Sequence, residues 1–493
     1  MSLYVLGVGG TGARCIRALT YLCSAGFLAG EKLNVYFVDA DETNGNLNES
    51  IETVDKYIQI KKQLALSGSS LGNSEVFGTN IINHKVWSPF ANYHNSVKLE
   101  DIFKYDLMSQ PERELFEVLY PRKKRESTFE NGFLGWPSVG SSIVAKEFES
   151  FDKLFNAITS DTDAKVFLMG SIFGGTGASG IPTLVKLIKK AVGAGNNESI
   201  SRKIGVLLML PYFNFKDNES DDPSAKSENF KLKTKMALEY YYNQKFYDLC
   251  DSIYTLSDNF LTKTSDETSK GGTSQKNAPH FLELYAGLIA VDFFTKMNQE
   301  GGSKYNEVSR NFAKEINWND LLFDETIDKL GKFASFSYAY STKIYSVMKK
   351  SYETMPHQQA VTTYPWYAKA FPNNHPKKED AVLFDSIQNY CSGFLSWLKT
   401  IQQISSQNGI TVKLVRDEHI PPQRNDKGDF SFGDFIHGKK LEVKAGIFGT
   451  KAKTASILDF EGIFAKNFGN SSEATNLGIV ISELYRSSLD HHL

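Results

Sequence analysis

Closely spaced backbone amides in a glycine-rich turn can bind an oxyanion. Glycine lets the main chain approach the ligand, and a helix starting at the turn adds a favourable dipole. The 493-residue chain has two such turns. The first is Gly7-Val8-Gly9-Gly10-Thr11-Gly12, and the second is Gly170-Ser171-Ile172-Phe173-Gly174-Gly175-Thr176-Gly177-Ala178-Ser179-Gly180. Each follows an apolar run of strand character (residues 3–6 and 165–169) and precedes a helical run (13–22 and 181–192). Two such turns far apart in sequence predict two loops closing on one phosphate chain. The second lacks the lysine of a G-x-x-x-x-G-K-[ST] loop. Phosphate charge there falls to backbone N–H groups, to the hydroxyls of Thr176 and Ser179, and to a metal ion.

The first turn alone leaves other chemistry open. Gly7, Gly9 and Gly12 fit G-x-G-x-x-G after a strand, and Asp39 ends the next strand where a dinucleotide fold carries its ribose-binding acid. An NAD-dependent oxidoreductase is therefore a rival reading, and a strand-to-helix turn without a ligand is another. The second turn favours a nucleoside triphosphate, because the oxidoreductase reading leaves it unexplained.

Bulk composition excludes several classes. A net charge of −2 gives no polyanion-binding signature, so no direct nucleic-acid partner is expected. The basic run Arg122-Lys123-Lys124-Arg125 reads as a solvated turn. Four cysteines (Cys15, Cys23, Cys250, Cys391) without a CxxC pair argue against a disulfide framework or zinc site and suit a reducing cytoplasm. Cys15 and Cys23 are expected to pack as small apolar side chains on the first helix. The nine histidines form no HExxH pattern. The N-terminus runs directly into a strand, as in a chain without a cleavable signal. The longest apolar run, residues 204–212, is far too short to span a membrane.

The positioning elements follow from periodicity. Residues 33–39, 57–60, 165–169, 203–210 and 251–258 read as strands, and 13–22, 181–192 and 230–247 as helices. Near-continuous apolar strands alternating with helices predict an α/β fold with a doubly wound parallel sheet. Residues 216–228 and 262–277, rich in Ser, Asp, Thr and Lys, read as mobile loops. Residues 280–297 form a helix apolar nearly all round, which marks a central one. Past residue 321 the texture changes; with strands at 410–415 and 441–448 and a connector at 371–379, it reads as an α+β domain. The expected division is a nucleotide-binding domain over 1–277, a core helix and its loop over 278–320, and a second domain over 321–493.

The second turn closely resembles the tubulin/FtsZ motif GGGTG[ST]G, and the first resembles the GVGGxG that opens FtsZ-type chains. Asp39-Ala40-Asp41 is similar to the family's acidic or Asn-rich second loop. Leu210-Pro211-Tyr212-Phe213-Asn214-Phe215 looks like its KPFxFEG strand and loop, and residues 251–259 look like DSLITIPND. The order holds over about the first 300 residues, and the nearest kinship is with divergent bacterial tubulin-like proteins. Phe173 replaces the family's first glycine, Ala178 precedes Ser179, and residues 216–228 make a longer, more acidic loop. Residues 61–160 form an extra segment suited to a lid or partner surface.

The resemblance implies GTP/GDP with Mg²⁺, head-to-tail homo-oligomers or filaments, and hydrolysis activated at the subunit contact. Gly9, Gly10, Thr11 and Gly12 would hold the α/β phosphates, and Gly174, Gly175, Thr176, Gly177 and Ser179 the β/γ end. Asp39 or Asp41 would lie near the ribose or metal, and Asn259 would contact the guanine. His280 or Phe281 would stack on the base or pack in the core, with core packing favoured for Phe281. The nearest match to the family's NxDxxD loop is Asn317-Trp318-Asn319-Asp320. It makes Asp320 and Glu315 the catalytic candidates, with Glu283 and Asp292 in reserve. A helix cap explains Asp320 equally well. A non-hydrolysing scaffold of the same fold, with partners on the second domain or the extra segment, is the alternative.

Overall fold

Strands that are apolar on both faces can be satisfied only inside a covered sheet. In the computed structural model β1 (Ser2–Val8), β2 (Lys32–Val38), β3 (Asn80–Trp87), β4 (Lys165–Ser171), β5 (Lys203–Met209), β6 (Phe213–Lys216), β7 (Ser252–Ser257), β8 (Thr262–Glu267) and β9 (Tyr305–Ser309) follow in chain order. Seven join in the order β3-β2-β1-β4-β5-β7-β9, and every pairing is parallel. β6 and β8 make a separate two-stranded ladder. The structure describes residues 2–66, 76–93, 97–129, 133, 136–147, 151–193, 202–216, 229–258, 262–267, 272–296, 304–309, 314–376, 380–421, 432–445, 451–468 and 477–488.

Side chains of each strand alternate between two cores. Leu3 and Val5 of β1 join Phe167 and Met169 of β4 on one face; Tyr4, Leu6 and Val8 join Val166 and Leu168 on the other. The first face is covered by α1 (Gly9–Ser24) and α2 (Gly45–Leu66), the second by α3 (Pro137–Glu147) and α4 (Gly175–Gly193). The expected central helix is α5 (Phe281–Lys296), with 13 of its 16 residues buried. Phe293 stacks on Phe167 at 4.9 Å, over Gly205, where a Cβ would lie 2.4 Å from the Phe293 ring.

Two expectations need correction. Residues 57–60 are not a strand but part of α2. Val54, Tyr57, Ile60 and Leu64 are all fully buried at helical spacing, and the third strand is β3. Residues 262–277 are not simply a loop: β8 occupies their first part, and residues 272–277 fold against α2. Residues 217–228, the other expected loop, lie outside the described residues.

Beyond residue 321 helices dominate, the longest being α6 (Asp380–Gln407). Two small ladders accompany them: antiparallel Glu442–Ala445 with Lys451–Thr454, and parallel Glu315–Ile316 with Thr411–Val412. The expected strand at 410–415 thus shortens to two residues. This second part shares its core with the first. Tyr21 of α1 packs on Tyr390, Phe394 and Trp397 of α6 at 5.5, 5.1 and 5.0 Å, and Tyr485 Oη donates to Ala25 O at 2.9 Å. All four cysteines are buried and free. Among the described residues, no helix is long and apolar enough to cross a membrane.

Glycine is required where helix meets strand. A Cβ on Gly12 would lie 2.4 Å from Met169 O and 2.7 Å from Gly7 C, whereas one on Gly462, inside the helix Ile457–Asn467, would meet nothing within 4 Å. Gly12→Ala is expected to destabilise the protein by about 1–3 kcal/mol through overpacking. Gly462→Ala is expected to stabilise it by about 0.5–1 kcal/mol through helix propensity. Urea denaturation of the two variants measures both.

Candidate functional site

The site begins with strand register. β1 and β4 are parallel neighbours, with Val8 opposite Gly170, so the turns leaving their carboxyl ends emerge side by side. At Gly9 the backbone has φ +76, and a Cβ there would lie 3.4 Å from Thr176 Cβ and 3.6 Å from Gly177 N. The two turns lie close enough that one added carbon would bridge them in van der Waals contact. Helices α1 and α4 start at Gly9 and Gly175, so two helix N-termini converge on the junction. Neither first turn contains an acidic residue. Gly10, Thr11, Gly174, Gly175 and Thr176 are the half-buried residues of the turns, and they form the surface open to an anion.

The remaining turn residues pack the fold. Gly12 and Gly177 are buried against backbone: a Cβ on Gly177 would lie 2.1 Å from Ser171 O. Ser179 was expected to bind phosphate. Its hydroxyl instead donates back to Gly175 O at 2.8 Å, and the residue is fully buried beneath Gly140 of α3. A serine in the first turn of a helix satisfies itself on the preceding carbonyls unless something competes.

A polar wall borders the first turn. A Cβ on Gly10 would lie 3.4 Å from Nδ2 of both Asn44 and Asn46. Asn44 Nδ2 donates to Gln275 Oε1 at 2.7 Å, and Asn46 exchanges hydrogen bonds with Asn277 at 2.9 and 2.8 Å. Asp41 Oδ2 accepts from Gly272 N at 2.6 Å, and Asp41 Oδ1 accepts from Thr43. Asp41 therefore ties residues 272–277 to the site as a strap, with both carboxylate oxygens engaged.

Asp39, just past β2, is 3% exposed. Its Oδ1 accepts from Asp41 N at 3.3 Å and from Thr176 Oγ1 at 3.5 Å. Its Oδ2 is buried and, among the described residues, has no hydrogen-bond partner. Burial, with a smaller push from the Asp41 charge, raises its pKa to about 7. Such a carboxyl is poised to accept a cation or a proton. Beneath it, Arg14 of α1 is buried, donating to Glu283 Oε1 at 2.7 Å, Tyr212 Oη at 2.8 Å and Asn277 Oδ1 at 3.0 Å. Burial alone would lower the guanidinium pKa; the facing Glu283 and Tyr212 reverse this and raise it. Arg14 thereby joins the first turn's helix, the strap and α5.

The other expected residues lie elsewhere. His280 and Phe281 are 3% and 2% exposed: His280 packs on Tyr212 at 4.9 Å and accepts from Leu282 N through Nδ1, and Phe281 joins the core. Packing takes both rings, so base stacking is not their role in this structure. Asn259 lies outside the described residues. Asp320 Oδ2 accepts from Asn317 N at 2.8 Å and Asn317 Oδ1 from Asn319 N at 2.9 Å, a reciprocal cap on the turn Trp318–Asp320. Glu315 pairs with Lys413 at 2.9 Å. Of the reserve acids, Glu283 holds Arg14, and Asp292 holds Lys296 and Tyr254. Sequence reasoning missed Arg14 and the carboxamides Asn44, Asn46, Gln275 and Asn277. Their one signal was the Asn-rich stretch after Asp41.

No family model matches the chain, and no curated protein matches it. Several solved structures resemble part of it. One is a GTPgS-bound protofilament of CetZ2 from Haloferax volcanii (13% identity, 59% of this chain and 58% of that one, TM-score 0.29). Another is CetZ from Methanosaeta thermophila (13%, 62% and 56%, 0.31). A third is an empty FtsZ dimer from M. jannaschii (13%, 64% and 58%, 0.28). Each match spans less than two thirds of the other chain's length. At these scores the facing turns, not the likeness, are the ground for a function.

Two outcomes are expected from the buried charges. Asp39 holds its proton to about pH 7 when folded, against 3.8 ordinarily, so the folded state binds the extra proton. Its stabilising contribution is complete below about pH 4 and is lost as pH rises through 7. Asp39→Asn should remove this part of the decline; a constant difference between wild type and variant from pH 4 to 8 refutes it. Arg14→Met strands Glu283 without its cation and should cost about 3–5 kcal/mol in urea denaturation, with part regained in Arg14→Met/Glu283→Gln.

Proposed function

We propose that this chain is a tubulin/FtsZ-like protein that binds a guanine nucleotide, GTP or GDP, between its two glycine turns. The observation that carries the reading is the approach of the first turn to the second, so close that a Cβ on Gly9 would lie 3.4 Å from Thr176 Cβ, with Gly10, Thr11, Gly174 and Gly175 half-buried in the same two turns. Amides of the first turn meet the α/β phosphates; those of the second, with the Thr176 hydroxyl, meet the β/γ end. A phosphate chain suits this cradle because charge is met by amide donors and two helix dipoles without a lysine. The preference for guanine rests on the likeness of residues 251–259 to the base-contacting strand of tubulin and FtsZ.

Mg²⁺ fits the same place: among the described residues Asp39 Oδ2 has no hydrogen-bond partner, and Asp39 Oδ1 accepts from Thr176 of the second turn. A bound Mg²⁺ would neutralise β/γ phosphate charge and take most of its oxygen ligands from phosphate and water.

Protomers stack head to tail in this reading, and Asp320 or Glu315 of one protomer acts on the nucleotide of the next. Positioning and charge stabilisation supply most of the rate in such phosphoryl transfer. A second reading, a nucleotide-binding scaffold without hydrolysis, is favoured by one observation: Asp320 caps its own turn and Glu315 is paired with Lys413. Either form works in the cytoplasm, where the four buried thiols stay reduced.

Fluorescent GTP titrated into the purified chain should bind, should not be displaced by NAD, and should bind at least tenfold more weakly to Gly175→Ala/Thr176→Ala. Wild-type affinity in that variant would refute the pocket. Phosphate release rising steeply with protein concentration identifies the assembling GTPase; bound GTP with no release identifies the scaffold.

A further inference from the structure

The segment between β3 and β4 carries an apolar surface that the nucleotide reading does not use. Its helix Gln110–Leu119 is capped by Ser109 and Glu112, and only Phe116 of that helix is buried. Phe103, Leu107, Met108, Leu115, Phe116 and Leu119 line a groove of about 400 Å³, rimmed by Lys104 and Glu112. Leu107, Leu115 and Leu119 are 81%, 60% and 58% exposed. A single exposed leucine is ordinary, but several lining one groove mark a contact surface.

The same chain carries a shape that fits it. On the helix Phe230–Asn243, Leu232, Met236 and Tyr240 are 58%, 60% and 45% exposed. Their spacing of four residues makes one apolar row along the helix, the form in which an amphipathic helix enters a groove. The buried faces of the two helices, Phe116 and Tyr241, belong to the same core on the α3/α4 side of the sheet. Since both outer surfaces are exposed, neither covers the other within one chain.

Charge matches as well as shape. Over residues 99–119, Glu100, Asp101, Asp106, Glu112, Glu114 and Glu117 outnumber Lys104 and Arg113, while the helix from Phe230 carries Lys231, Lys233 and Lys235 against Glu239. Arg125 partly offsets the acids by pairing with Glu100 at 2.7 Å and Glu117 at 3.5 Å, which leaves Asp106, Glu112 and Glu114 outside those pairs.

We infer that the groove of one copy receives the Leu232/Met236/Tyr240 row of a second copy of this chain. The contact is heterologous, because two different patches meet, so each copy has one of each to offer. Lysines on the entering helix lie against Glu112 of the rim and the neighbouring Asp106 and Glu114, and the leucines and Met236 leave water together. It involves neither glycine turn, so it stands or falls independently of the nucleotide.

Sedimentation of the full chain without nucleotide tests it. Wild type should associate as concentration rises, and Leu115→Asp and Met236→Asp should each weaken association at least tenfold. Both positions are exposed, and GTP binding by both variants should stay at the wild-type level. An equimolar mixture of the two variants should form dimers again, since the intact groove of one meets the intact helix of the other. Leu107→Asp should reproduce the groove defect if Leu115→Asp does not fold. A wild type that stays monomeric to its solubility limit, association unchanged by these substitutions, or a mixture that fails to recover would overturn the contact.

Discussion

The parallel hydrogen-bond ladder between β1 and β4 is the constraint on which the rest depends. Val8 opposite Gly170 brings two strand ends together that are more than 160 residues apart in the chain. Everything chemically distinctive follows from that register. The turns leave at the same edge, their helices begin side by side, and a Cβ on Gly9 would touch Thr176. A one-residue slip of the pairing would turn every side chain of β4 to the opposite face, so both cores hold the register in place. The glycines are the other half of the constraint. Gly12 and Gly177 let backbone touch backbone, and only then do Gly10, Gly174 and Gly175 come near enough to share a ligand.

Around this junction, charge is handled by burial and pairing. Arg14 and Glu283 are a buried ion pair, further satisfied by Tyr212 and Asn277. Such a pair adds less to net stability than its short distance suggests, because both ions lose their hydration. Its value here is positional: it holds α1, the strap and the start of α5 in one arrangement. Asp39 is the opposite case, a carboxyl buried with one oxygen unpartnered among the described residues. A cation beside it would relieve the same desolvation that raises its pKa.

The two parts of the chain form one packed body across α1. Tyr21 lies against three aromatic rings of α6, and Ser24 meets Tyr390 at 2.6 Å. The helix that starts at the first glycine turn therefore ends in the core shared with the second part. A change at the turns is connected to the far helices through packed side chains along one rigid element.

Much of this was legible in the residues. Continuous apolar runs announced β1, β2, β4, β5 and β7, and the all-round apolar character of residues 281–296 announced the central helix. Residues 57–60 misled because a short apolar stretch does not distinguish a strand from the inner face of a helix. Ser179 misled because motif position says nothing about where a hydroxyl turns, and a backbone carbonyl 2.8 Å away took it. His280 misled because an aromatic at the start of a central helix suits packing as well as stacking; for Phe281 packing was already the favoured reading. The strap was invisible because carboxamide pairs such as Asn46 with Asn277 leave no periodic trace.

Sequence alone thus determined the central strands β1, β2, β4, β5 and β7 and the helices beside the glycine turns, since those depend on local periodicity and on where glycine is tolerated. Only the tertiary structure decided which polar groups meet. That depends on pairing between segments hundreds of residues apart and on which carboxyl, hydroxyl or amide is left without water when they close.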